Sequence, residues 1–182
     1  MKHFRIFLIF LLGLSNAACT LNSTRPLPTG GVPAANRAVV VYGIQVKGSW
    51  PGAGFWVEVA EYDIEKQNIT GNCFRFNRTK GLIPPDPGAI KYFAFDVPPG
   101  HYVYSPFHFA RSDADVFAFE APAGKSVYLG AFILEDSNLV SLTRNLNAVR
   151  NEINEALPGL EAEISVAKAR LVKRPFPFLC AP

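Results

Sequence analysis

The chain is poor in the residues most chemistry is built from. Its 182 residues hold three cysteines, three histidines and one methionine, and His3 lies at the very start, so only His101 and His108 stand in the body of the sequence. Neither is spaced with Cys73 or Cys180 as the ligands of known zinc sites are, so no metal is expected. No G-x-S-x-G elbow is present to expose a serine, no H-E-x-x-H, and no Gly-rich phosphate loop followed by Lys and Ser or Thr. No cofactor is implied. An excess of charge is lacking too: without Lys2 and Arg5, sixteen basic side chains face fifteen acidic ones. A near-neutral body has no basic stripe, which removes the electrostatic case for nucleic acid. Beyond the N-terminus there is no apolar run approaching the roughly 20 residues that cross a bilayer. No internal repeat and no low-complexity tract beyond residues 20–37 appears.

What is present begins with MKHFRIFLIFLLGLSNAACT. Lys2 and Arg5 make a short basic start, residues 6–14 are apolar apart from Gly13, and small residues follow. That order defines a removable export signal over residues 1–18. A buried core helix would show a polar face, and this run shows none. The signal ends Asn16-Ala17-Ala18-Cys19, which resembles the lipobox of bacterial lipoproteins, with Asn16 where Leu is usual. The resemblance implies that Cys19 is fatty-acylated and becomes the new N-terminus. Thr20 rather than Asp after the cysteine implies the periplasmic side of the outer membrane. Ordinary cleavage after Ala18, giving a soluble periplasmic or secreted protein, is the alternative. Residues 20–37 (TLNSTRPLPTGGVPAANR) hold three prolines and two glycines and little apolar area to offset ordering entropy. They read, with Cys19, as a flexible tether between a lipid anchor and a body spanning residues 38–182.

The body suits one domain with its own core. Fifteen Phe and six Tyr favour an aromatic β core. Residues 38–46 (AVVVYGIQV) are apolar and β-branched, a largely buried strand. Residues 55–62 (FWVEVAEY) alternate, with Trp56, Glu58 and Ala60 facing away from Phe55, Val57 and Val59. Residues 71–77 alternate again, whereas GLIPPDPG at 81–88 reads as a rigid loop. Residues 91–97, 100–105, 115–119 and 125–134 are further strands, separated by Pro-Pro-Gly, Arg-Ser-Asp and Pro-Ala-Gly turns. Leu146, Val149, Ile153 and Leu157 recur at helical spacing, and Pro158-Gly159 stops the pattern. An amphipathic helix is expected near 144–157 with Thr143 as its N-cap. Residues 161–172 fit an edge strand better than a helix. The expected fold is mainly β: an antiparallel β-sandwich of about seven strands with one C-terminal helix.

VPPGHY at residues 97–102 and APAGKSVYLG at 121–130 resemble the strand corners of transthyretin-like and carboxypeptidase-regulatory-like β-sandwich domains in small bacterial envelope lipoproteins. Gly100 and Gly124 give a tight corner its backbone freedom, and Tyr102 and Tyr128 cover the core edge. The resemblance spans about residues 90–132. It implies a sandwich with an exported accessory role and carries over no catalytic residue.

The candidate chemistry is therefore thin. His101 and His108 stand near Asp113 and Asp115, and Ser105 or Ser112 could complete a triad on paper, but nothing positions a nucleophile. Asp113-Ala114-Asp115 lacks the remaining ligands of a calcium loop. Glu58 and Glu61 fall on opposite faces of one strand and cannot pair as a glycosidase needs. Trp50, in a Gly-Pro loop, and Trp56, beside Glu58, are the candidate ligand-binding residues, because exposed indoles stack on sugars and proline-rich peptides. They could instead cap the ends of the core. Lys168, Arg170, Lys173 and Arg174 could touch anionic lipid but read first as a solvated face. Sequons at Asn22, Asn68 and Asn77 read as chance in an exported bacterial protein. The expected function is that of a non-catalytic envelope module, held to the membrane by its lipid, that binds an envelope protein or glycan. The alternative is a hydrolase acting on envelope material, which should gather His101 or His108 with a carboxylate in a cleft.

With Cys19 acylated, Cys73 and Cys180 remain as an even pair in an oxidising compartment. A bridge closing more than 100 residues is worth at most about 4–5 kcal/mol and would pin Phe176, Phe178 and Leu179 to the body. Two unpaired buried thiols are the other outcome. Peptide mapping without reduction should recover Cys73 linked to Cys180. Two titratable thiols in the unfolded, unreduced protein would refute the bridge.

Overall fold

A computed structural model describes residues 21–32, 34–72, 74–104, 115–136, 138–160 and 164–175. Cys19, Cys73, Cys180, Ser105, His108, Ser112, Asp113 and the side chain of Asp115 lie outside the described residues, so the expected acylation, disulfide and triad fall outside them too. In chain order the described elements are β1 (Leu21–Asn22), β2 (Arg25–Pro26), β3 (Ala38–Val46), β4 (Phe55–Asp63), β5 (Asn68–Ile69), β6 (Arg75–Phe76), β7 (Arg78–Ile83), β8 (Lys91–Val97), β9 (Gly100–Tyr104), β10 (Asp115–Ala121), β11 (Ser126–Leu134), β12 (Val140–Thr143), the helix α1 (Leu146–Ala156), β13 (Ile164–Val166) and β14 (Ala169–Lys173).

Two six-stranded sheets face one another, as the alternating aromatic strands and Gly-Pro corners predict. One runs β2–β8–β3–β11, with β12 and β13 sharing the outer edge of β11. The other runs β14–β10–β9–β4, with β7 and β5 sharing the far edge of β4. Val40, Tyr42, Ile44, Phe95, Leu129 and Phe132 from the first sheet interdigitate with Phe55, Val57, Val59, Tyr102, Tyr104 and Phe119 from the second. The pairing is not antiparallel throughout. β3 and β11 run parallel from Val39↔Ser126 to Val46↔Leu134, with a bulge between Tyr128 and Gly130. Gly130 sits at φ 137°, and a Cβ there would come within 2.6 Å of Leu142, so only glycine fits the bulge.

α1 packs on the outside of the first sheet. Leu146 and Ile153 bury against Val39, Val41 and Tyr128, with Val149 and Leu157 beside them, as the helical spacing predicts. Its N-cap is Asn145, whose Oδ1 accepts from Ala148 N at 3.2 Å, and not Thr143, which ends β12. β12 pairs through Ala131↔Thr143, so the cap falls to the next polar side chain with a free acceptor. Where one edge strand was expected at residues 161–172, the described residues form two, β13 on the first sheet and β14 on the second. The strand expected at 71–77 shrinks to β6, and β7 occupies the start of the expected loop.

The larger correction concerns the tether. The described residues between 21 and 37 do not hang free. β1 pairs with β6 and β2 with β8, and Leu27 N donates to Ala94 O at 2.9 Å. Thr24 is buried, its hydroxyl on Arg78 O. Asp96 receives Arg25 at 2.8 Å and Arg37 at 2.7 Å. The prolines and glycines make this a strap that touches both sheets and α1. Backbone hydrogen bonds hold it, and those need no apolar side chain. Gly30 N donates to Pro158 O at 3.0 Å, and Gly159 lies so close, at φ 90°, that a Cβ there would stand 2.4 Å from Gly30 Cα.

Gly159→Ala should therefore cost about 2 kcal/mol through backbone strain and the clash with the strap, measured by urea unfolding. Amide exchange should speed up at residues 27–31 in the same variant. Unchanged exchange there would show that the strap is not seated on this turn.

Candidate functional site

β4 alternates cleanly, so its two faces carry different chemistry. Toward the core stand Phe55, Val57 and Val59. Trp50 belongs with that side: its ring meets Phe55 edge-on at 5.3 Å, and its Nε1 donates to Gly54 O at 3.0 Å. Trp50 is an end cap of the core. On the outer face Trp56 stands opposite Leu82, and Glu58 opposite Lys80. Lys80 Nζ lies 4.9 Å above the Trp56 ring, a cation–π contact. The structure does not bring the two tryptophans onto one face. It leaves a patch of half-buried Trp56, Lys80 and Leu82, with Leu82 57% exposed.

Beside the patch, on the same face of the sheet, lies a buried ion pair. Glu58 and Arg78 are 4% and 3% exposed, with Arg78 Nη1 3.4 Å from Glu58 Oε2. Burial pushes the Glu58 carboxyl up, against the opposing pull of Arg78 and then Lys80. Burial also pulls the Arg78 guanidinium down, and Glu58 opposes it. In both groups desolvation outweighs attraction, as expected of an ion pair taken out of water.

The second feature is a polar cleft of about 250 Å³ at the end of β4, lined by Glu61, Thr70, Gly71, Asn72, Arg75, Phe76 and Asn77. Glu61 Oε2 accepts from Thr70 Oγ1 at 2.8 Å and from Asn77 Nδ2 at 2.7 Å. Glu61 Oε1 lies beside Gly100, where an added Cβ would be 3.4 Å away. Asn77 Oδ1 is buried with no hydrogen-bond partner among the described residues. The cleft thus holds acceptors on one wall and the exposed Arg75 on another. Sequence reasoning missed it, because the irregular stretch between β5 and β7, with the two-residue β6 inside it, contributes all of the lining but Glu61. Asn77, in one sequon, is committed to Glu61, and Asn22, in another, to Arg78 O at 2.7 Å.

Glu58 and Glu61 fall on opposite faces, as the alternation predicts. His101 is a cross-strand neighbour of Glu120 and lines neither the patch nor the cleft. Among the described residues, no three His, Cys, Asp or Glu side chains group as metal ligands, and no helix is long and apolar enough to cross a membrane. Lys168, Arg170, Lys173 and Arg174 are exposed along β14, the edge strand of its sheet, where charge discourages pairing with another chain. At the turns around Gly100 and Gly124, Tyr102 donates to Pro98 O at 2.7 Å, and Gly124 turns at φ 69°. No family model, curated protein or solved structure matches the chain.

Glu58→Leu should cost about 3 kcal/mol, since it strands a buried guanidinium. Adding Arg78→Met should recover much of that loss in a double-mutant cycle read by urea unfolding. A single variant as stable as the wild type would show that the pair is dispensable.

Proposed function

We propose that this chain is an exported, lipid-anchored envelope module without catalytic chemistry. It is acylated at Cys19, faces the periplasm from the outer membrane, and binds an envelope protein or glycan. Its body is proposed as a transthyretin-like sandwich, on the strength of the two corners. The observation that carries the binding reading is the outer-face patch. Trp56 and Leu82 stand side by side on β4 and β7 with a cation over the indole, and the Glu58–Arg78 pair joins the same two strands further along that face. An amphipathic aromatic beside an exposed aliphatic on rigid strands is the composition of an interface centre. The ring face of Trp56 equally suits the C–H face of a sugar. The hydrolase reading needs His101 or His108 with a carboxylate in a cleft; His101 does not line the polar cleft, whose Glu61 carboxylate is engaged by Thr70 and Asn77, and His108 lies outside the described residues.

The mature protein should carry an acyl mass on Cys19. Trp56→Ala with Leu82→Ser should lower cosedimentation with envelope glycan, or crosslinking from position 82 to an envelope protein, about tenfold at unchanged thermal stability. Trp50→Ala should instead lower stability. His101→Ala with His108→Ala should leave binding and any complemented phenotype near normal. Loss of the phenotype in that well-folded double variant would reinstate the hydrolase.

A further inference from the structure

Leu21 and Phe74 are among the most exposed large apolar side chains of the described residues, at 59% and 63%, and they are neighbours. Leu21 N donates to Phe74 O at 2.7 Å, and β1 lies parallel to β6. Phe74 is not displayed by a slack loop. Asn72 Oδ1 accepts from Phe74 N at 2.9 Å and from Arg75 N at 3.0 Å, and Asn72 N donates to Arg75 O at 2.8 Å. These are the hydrogen bonds of an Asx-type turn, in which the side chain stands in for a backbone acceptor. Beside Phe74 the exposed Arg75 opens into the polar cleft with Glu61 and Asn77.

The position of this lip in the chain gives it an occupant. Cys19 is two Cα–Cα steps from Leu21, and each trans step spans 3.8 Å, so the Cys19 Cα lies at most about 7.6 Å from the Leu21 Cα. An acyl chain on that cysteine cannot enter a bilayer without bringing Leu21, and with it Phe74, to the bilayer surface. The strap removes the slack that an 18-residue leash would have supplied.

We infer that the Leu21–Phe74 lip is a membrane-docking surface that seats the acylated domain directly on the phospholipid interface, Leu21 and Phe74 entering among the acyl carbonyls while Arg75 meets phosphates. The inference rests on acylation of Cys19. The lip is not needed for retention, which the lipid supplies; it fixes the tilt of the domain. Aromatic and aliphatic side chains beside a cationic one are the composition of an interfacial anchor.

The test is a Phe74→Trp reporter in the full mature protein, reconstituted into vesicles of phosphatidylethanolamine and phosphatidylglycerol carrying brominated acyl chains near the carbonyls. Trp50 and Trp56 give the wild-type background. F74W should gain at least twofold bromide quenching over that background, and Leu21→Ser should reduce the gain. An F74W signal quenched no more than wild type, in protein that floats with the vesicles, overturns the docking. The Cys19 mass tests the anchor separately. If Cys19 carries no lipid, the soluble chain is titrated with the same vesicles. Quenching of F74W then keeps the docking surface without the anchor, and its absence overturns both. F74W emission already shifted to the blue without vesicles would assign the lip to residues 176–182 of the chain itself and overturn the inference.

Discussion

β3 and β11 lie side by side and parallel in the middle of one sheet, and almost nothing on either strand reaches water. Gln45 is the one residue of β3 that is not buried, and all nine of β11 are buried. A parallel pair needs a crossover, and a strand buried on both faces needs a layer on each. Those two needs order the rest of the chain. After β3 it leaves to lay down β4 and β7 on the opposite sheet, returns for β8, leaves again for β9 and β10, and only then comes back as β11. The other face of the pair is covered by α1 and the strap. Val39, Val41 and Tyr128 would otherwise meet solvent, at roughly 1.5–3 kcal/mol each, a large fraction of a typical domain's net stability of about 5–15 kcal/mol.

The buried charges sit at the seams between these layers. Asp96 at the end of β8 holds Arg37, which enters β3, and Arg25 of the strap. The Arg25 contact is mostly exposed at its basic end and worth at most about 1 kcal/mol, whereas Arg37, 19% exposed, also bonds Ser23 O and Asp96 O. Arg144, between β12 and α1, donates to Leu129 O at the bulge and to Ala167 O where the chain crosses from β13 to β14, and its guanidinium lies 5.3 Å over Phe119. Burial draws its pKa down while Tyr128 opposes. Each cation is held by carbonyls or carboxylates of neighbouring elements, so these contacts tie the strap, β12 and the β13–β14 crossing to the sheets.

What the sequence could reveal followed from how each element is held. β3 and β8 are plain in it because their burial is written in β-branched and aromatic side chains, and α1 because one stripe of four apolar residues meets the sheet. β7 was hidden. Its inward residues are Thr79, Gly81 and Ile83, since Thr79 meets the hydroxyl of Tyr42 at 3.1 Å and Gly81 leaves room for Ile44 and Phe93. A strand whose core face is small and polar has no hydrophobic alternation to detect. The strap was hidden for a related reason: proline and glycine advertise entropy, while its backbone hydrogen bonds and the Gly30–Gly159 contact leave no pattern in composition. The polar cleft is assembled from β4 and a turn that the sequence presents as two unrelated stretches.

The strap changes what a lipid at Cys19 would mean for the rest of the molecule. A leash of 18 flexible residues has a root-mean-square reach of about 25 Å, enough to let the domain tumble and to make its orientation irrelevant. A stub of one residue removes that freedom. Asn22 then becomes the junction, with Nδ2 on Arg78 O and Oδ1 taking Arg78 N at 3.1 Å, so the first residues of the body are tied to the first residue of β7. Leu82 lies four residues further along that strand, about 13 Å at the rise of a β-strand, and Trp56 stands opposite it. The lip is therefore tied through Asn22 to the start of β7, and the patch stands toward the other end of the β4–β7 pair. With the lip held at the bilayer, the same strands carry Trp56 and Leu82 away from the anchored end at a fixed separation, and the Glu58–Arg78 pair between them is placed to keep that separation rigid.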